Sequence, residues 1–192
     1  MVTPRPAPEA SRALVDAPAA GFDEPLEMLL GCHRRIEKQL ATLKRLHAHL
    51  DAKGVDAEAS AAAQSVLRYF AKAAADHHED EEKDVFPLLE RRIADPHEAE
   101  RFRALRGRLE SDHRSLGAAW THLRKPLEGI AEGLVRSLPG DEIEAFAAGY
   151  ASHIGAEEPA LAALFARWLD ARDQEALGRS MAARRGLPFP PR

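Results

Sequence analysis

Two short runs of this 192-residue chain set an imidazole one helical turn ahead of a carboxylate. They are His77-x-x-x-Glu81 and His153-x-x-x-Glu157, each followed at once by a second glutamate, Glu82 and Glu158. Residues four apart on an α-helix lie one above the other on the same face. Imidazole nitrogen and carboxylate oxygen presented together suit iron, manganese or zinc, and the spacing does not choose among the three. A further histidine precedes each run at a similar interval, His33 before His77 and His113 before His153. The chain therefore repeats a histidine, a long spacer and His-x-x-x-Glu-Glu. Two packed copies would form a pseudo-twofold site with matched ligands from each half, and two metal ions are its natural occupancy.

The apolar residues say which of these side chains face inward. At about 100° per residue, His77 and Glu81 fall inside the stripe of Val66, Phe70, Ala74 and Leu88. His153 and Glu157 fall inside that of Phe146, Tyr150, Leu161, Leu164 and Trp168. His33 lies among Leu26, Leu29, Ile36 and Leu40, and His113 among Phe102, Leu109, Leu116 and Trp120. One inward histidine is ordinarily a hydrogen-bonded core residue. Two inward carboxylates are different: burial costs several kcal/mol each unless the charge is paired or metal-bound, and no Lys or Arg faces in at their level. His78 sits at the stripe's edge, where it either reaches the site as a fifth histidine or faces solvent. Glu158 and the acids of the run from Glu79 to Asp84 other than Glu81 are expected on a solvated face. His47 is inward but about 21 Å along the helix from His33, so it is read as a core or interface histidine. His49, His97 and His122 are expected in solvent, Cys32 as a buried structural thiol, and Tyr150 as core packing.

The elements that must position these residues are helical. The composition is rich in Ala and Leu, 30% charged and only 6% aromatic, without the clusters of β-branched residues that mark strands. Residues 1–22 read as a flexible leader. A first helix is expected over Asp23–Leu50, capped by Asp23 with Pro25 in its first turn. A second follows the Lys53-Gly54 turn over Ala57–Ala94, bent by Pro87. Asp95-Pro96 opens a third, ended or kinked by Pro126, and 126–140 reads as a connection. A fourth starts at Asp141, with Glu144 completing a capping box, and runs to Ala171. A short fifth helix over Asp173–Ala183 precedes a Pro-rich tail at 187–192. The reading is all-α: an antiparallel up-down-up-down four-helix bundle over 23–186 with a short C-terminal helix. At 1.5 Å per residue, these lengths bring the four histidine levels within about one turn of each other.

A net charge of −4 with interspersed signs offers no basic field, so no nucleic acid and no membrane surface is implied as partner. The single cysteine excludes an internal disulfide. With no signal-like segment and no long apolar run, the expected location is cytoplasmic.

The set His33, His77-His78-Glu79-Asp80-Glu81-Glu82-Lys83-Asp84-Val85-Phe86-Pro87, His113 and His153-Ile154-Gly155-Ala156-Glu157-Glu158 resembles the hemerythrin-like, HHE cation-binding domain. Met181-Ala182-Ala183-Arg184-Arg185-Gly186 resembles the tail often found after it, so the likeness spans about residues 23–186. The resemblance implies a non-heme pair of iron ions, oxo- or hydroxo-bridged, with zinc or manganese as alternatives. It implies that Glu81 and Glu157 bridge and that His33, His77, His113 and His153 supply terminal nitrogens. The chain departs from oxygen-carrying hemerythrins, whose third helix offers His-x-x-x-His, because Gly117 stands four residues after His113. His78 is the candidate for the missing nitrogen. The expected function is binding or sensing of oxygen, nitric oxide or peroxide, or service in iron and redox homeostasis, with no catalytic acid or base nominated. The alternatives are an enzyme consuming peroxide or nitric oxide on the same site, and a zinc-bound or metal-free helical interaction module.

Overall fold

The first helix, α1 (Pro25–Lys53), buries Leu29, Ile36, Leu40, Leu43, Leu46 and Leu50 along one face. Asp23 does not cap it. The N-cap is Glu24, without a side-chain bond, and Pro25 takes a first-turn position where a missing N–H is harmless. Gly54, at φ 76°, closes the helix with its N–H on Leu50 O, a left-handed conformation that favours glycine. The computed structural model describes residues 21–189; residues 1–20 of the leader and 190–192 of the tail lie outside them.

The second rod, expected as one helix over Ala57–Ala94, stops at Arg92 and is interrupted twice. It runs as α2 (Ala57–Arg68), a π-helical turn (Tyr69–Ala73), α3 (Ala74–Asp80), a second π-helical turn (Glu81–Val85) and α4 (Phe86–Arg92). Asp56 caps its start by accepting from Ala59 N. The second π-turn is where the expected effect of Pro87 appears. A proline ring crowds the carbonyl four residues back, and one extra residue in the preceding turn relieves that contact. Phe86 N–H instead reaches five residues back to Glu81 O.

The third rod, α5 (Pro96–Ala131), is capped by Asp95, which accepts from Glu98 N at 2.7 Å. It passes through Pro126, so neither the expected stop nor a 126–140 connection occurs. Leu123 before the proline and Leu127 and Ile130 after it are completely buried, and Arg124 bonds Glu128 at 2.6 Å across it. Burial of three such side chains outweighs the roughly 3 kcal/mol that an internal proline costs. The chain then doubles back, with Leu134 and Val135 N–H both on Gly129 O. A Cβ at Gly129 would collide with Val135.

The fourth rod, α6 (Gly140–Trp168), begins one residue before Asp141, which sits in the first turn and favours the helix dipole rather than capping it. It ends at Trp168, not Ala171. The last helix, α7 (Ala171–Arg184), opens with a capping box between Asp170 and Asp173.

α1 packs against α2 and α6, and α5 packs against the same two, which closes the up-down-up-down bundle. Its core is in two parts. One holds Ile36, Leu43, Val66, Phe70, Leu123 and Phe146; the other holds Leu29, Val85, Phe86, Leu109, Leu161 and Phe165. Between them lies a buried layer of His33, His77, Glu81, His113, His153 and Glu157. No helix among the described residues is long and apolar enough to cross a membrane.

Leu127→Ala tests the continuation of α5 past Pro126. A buried position should lose about 2–5 kcal/mol in urea unfolding, whereas a loop residue would lose well under 1 kcal/mol.

Candidate metal centre

Every rod sends its histidine to the same level, and the rings meet. His33 and His77 lie edge to face with centroids 4.7 Å apart, and the Nε2 atoms of His113 and His153 stand 3.3 Å apart. Each carboxylate sits among them. Glu81 places Oε1 3.1 Å from His77 Nε2 and Oε2 3.2 Å from His113 Nε2. Glu157 places Oε2 2.9 Å from His153 Nε2 and Oε1 3.8 Å from His33 Nε2. Two overlapping donor groups result: His33, His77 and Glu81, and Glu81, His113, His153 and Glu157, each with its atoms within 4.8 Å of one another. Glu81 belongs to both.

His78 is drawn in as well. Its ring stacks on that of His113 at 4.0 Å, and it forms a third group with His113 and His153. Gly117 is exposed, with open space where a Cβ would be.

The expectation of a solvated acidic face fails at four residues. Glu82 Oε1 accepts from His113 Nδ1 at 2.6 Å, and Glu158 Oε1 accepts from His33 Nδ1 at 3.0 Å. The glutamate after each His-x-x-x-Glu thus reaches across to the lone histidine of the other half. Both carboxylates remain about two-fifths exposed, and helical phase reads only that exposure. The signal that could have found them was the doubled glutamate in both halves. Such a bond fixes the tautomer, leaving the Nε2 lone pair pointing inward, and raises its basicity. The other two are Asp80, completely buried and held by Arg184, the last residue of α7, and by Arg185 just after it, and Asp84, held by Arg184.

The repeat is not perfect. Asp112, just before His113, faces His153, its buried Oδ2 3.7 Å from Nδ1. In the first half Cys32 takes that place before His33. Cys32 is buried, its Sγ accepting from Arg35 at 3.0 Å, while His77 Nδ1 has no partner. Tyr150 packs among Phe70, Phe146 and the ring of His78. His47 is half-buried against Gly140 at the start of α6. His97 and His122 are exposed, but His49 is not free in solvent: it bonds Asp56 at 3.0 Å and is mostly buried.

The layer is ill-suited to be empty of cations. Both oxygens of Glu81 and of Glu157, both ring nitrogens of His77, Nε2 of His33 and Nε2 of His78 are buried without a hydrogen-bond partner. An orphaned buried polar atom costs about 1–3 kcal/mol, and here the lone pairs converge. A pair of cations satisfies them together, so the donors fit. Burial pushes the Glu81 carboxyl well above its usual range, with the charge of Glu157 adding to it. Burial also raises Glu157, but contacts with His153 and Glu81 overturn that and leave it low. Burial likewise keeps His77, His78 and His113 neutral, His78 down to about 2.

Fold and site together define a helical bundle with a buried histidine and glutamate centre built to hold cations. The hemerythrin HHE cation-binding domain family matches residues 24–165, and the chain belongs to it. A Haemophilus influenzae protein described as uncharacterized is 32% identical over 166 residues, covering 86% of this chain and 92% of its own length.

Glu82→Gln and Glu158→Gln should each weaken metal binding by about 10- to 100-fold, read by competition with a chelator. Unchanged affinity in both would deny the outer carboxylates their role. The ion-free protein should lose stability as pH falls below about 6.5, where the unfolded chain protonates His77, His78 and His113 and the folded one does not. Glu81 acts oppositely, its folded value lying above its unfolded one, so its contribution is held in acid and lost as pH rises. Three imidazoles outweigh one carboxyl, so urea midpoints of chelator-treated protein should be lower at pH 5 than at pH 6.5. A higher midpoint at pH 5 would reverse the sign.

Proposed function

We propose that this chain holds two iron ions and serves as a binding or sensing protein for a small diatomic ligand or peroxide, in iron or redox homeostasis. The observation that carries the reading is the shared carboxylate: Glu81 faces a histidine of each half from opposite oxygens. In this reading His33 and His77 would hold one ion, His113, His153 and His78 would hold the other, and Glu81 and Glu157 would serve both. Bound there, iron would supply open coordination positions and a reversible change of oxidation state. The protein's part is to fix the donors, through Glu82 and Glu158, and to keep the layer dry between two apolar cores.

Two features favour a small ligand and binding over turnover. A cavity of about 100 Å³, lined by Phe70, Ala74, Leu116, Trp120 and Tyr150, has His78 among its walls and admits only a few heavy atoms. The buried carboxylates and imidazoles of the layer face the ion positions, which leaves none of them free to move protons for a substrate.

Metal content and visible absorption of the purified protein, wild type and Glu81→Ala, test the reading. Two irons per chain with charge-transfer bands that vanish in the variant would support it. Zinc, or no metal with an unaltered fold in both proteins, would sink it. Steady oxygen evolution from peroxide at substoichiometric protein would move the assignment to an enzyme.

A further inference from the structure

The turn that carries His77 and Glu81 has a second buried acid that the centre does not use. Asp80 is completely buried, next in sequence to Glu81, and turned away from the ions toward α7. Arg184 Nη1 donates to Asp80 Oδ1 at 2.6 Å, and Arg185 Nη2 donates to Asp80 Oδ2 at 2.7 Å. Arg184 also spans one helical turn to Asp84 Oδ2, at 2.6 and 2.8 Å, and touches Glu79 at 3.3 Å. Arg185 is tied back to Met181 O at 3.0 Å, which holds its guanidinium in place. Both arginine side chains are themselves largely buried, each 15% exposed.

The clamp spans the start of a weak point. Asp80 ends α3, and the π-turn Glu81–Val85 begins at the next residue. A π-turn is a strained insertion that the chain could otherwise redistribute along the rod, and shifting it by one residue would rotate Glu81 by about 100° out of the layer. Bonds to Asp80 before the insertion and to Asp84 within it hold that phase. Among the described residues the corresponding segment of α6 has no such clamp: the chain after His153 and Glu157 is an uninterrupted α-helix.

We propose that Arg184 and Arg185 are positioning residues of the metal centre, which fix the His77–Glu81 turn from outside through Asp80 and Asp84. The inference rests on the two-ion reading above. It makes the two ion positions unequal in their dependence on α7. The group of His33, His77 and Glu81 has two of its three members on the clamped turn, whereas the donors around His113 and His153, which are Glu81, Glu157 and His78, bring two of five.

The test is a titration of metal-free, full-length protein with Co(II), following the d–d bands, with far-UV circular dichroism alongside. Wild type, Arg184→Gln/Arg185→Gln, Asp80→Asn and the conservative Arg184→Lys are compared. The first two variants should retain helicity yet bind one Co(II) about 10-fold or more weaker than wild type, with shifted bands, while the other Co(II) is weakened distinctly less. Arg184→Lys should fall between, because an ammonium keeps the charge and loses the fork that spans Asp80 and Asp84. Should the double variant fail to fold, Arg184→Lys carries the comparison alone. Leu43→Ala, destabilised far from the clamp, is the control for a loss of stability. Equal weakening of both ions, unchanged affinities, or the same selective loss in Leu43→Ala would overturn the proposal. A wild type that takes up one Co(II) would overturn the two-ion reading instead, and the clamp would then stand or fall on whether its variants shift the bands and affinity of that one.

Discussion

Two carboxylates in the middle of an apolar bundle are the constraint from which the rest of the architecture follows. Left alone, Glu81 and Glu157 would each cost several kcal/mol, and no arginine or lysine shares their layer. Burial holds His77, His78 and His113 neutral, so these three cannot offset the charge. Cations can, but only if all the donors arrive at one level. That condition ties the lengths of the rods to one another: α1 must run as far beyond His33 as the second rod runs before His77. It also splits the apolar packing in two, above and below a polar layer that neither half can cover alone.

The halves of the repeat meet this constraint by exchange. Each His-x-x-x-Glu-Glu run lends its last carboxylate to the lone histidine of the other half, Glu82 to His113 and Glu158 to His33. The two hairpins therefore orient each other's ligands, and neither site is complete without the opposite pair of helices. Against this symmetry stand three differences. Asp112 is matched by Cys32, an extra imidazole from His78 joins one half only, and α7 braces only the turn of His77 and Glu81. A duplicated frame with unequal surroundings gives two overlapping donor groups with different electrostatic surroundings.

The prolines show local preference yielding to packing in two different ways. At Pro126 the helix persists because three fully buried residues on α5 reward continuity more than one lost hydrogen bond penalises it. At Pro87 the helix also persists, but it absorbs the conflict as an extra residue in the preceding turn. That insertion lies on the ligand-bearing segment itself, where a change of phase decides which acid faces the ions and which faces α7. Asp80 and Glu81 are neighbours in sequence, both completely buried, and serve different structures.

How much of this was legible beforehand depended on whether period or contact carried it. Amphipathic period alone disclosed four helices, the inward faces of His33, His77, Glu81, His113, His153 and Glu157, and the matched spacing that makes them one layer, because a 3.6-residue repeat is written in consecutive residues. Helix ends were misread where a cap was inferred from residue type, as at Asp23 and Asp141, since a cap depends on backbone angles that neighbours set. The roles of Glu82, Glu158 and Asp80 were invisible to the same reasoning. Phase can say that a side chain leans away from its own helix's core, but not that another helix waits there with a histidine or an arginine. Membership in the layer was thus determined by sequence, while the assignment of each outer carboxylate to its partner was decided only when helices distant in the chain came within hydrogen-bonding reach.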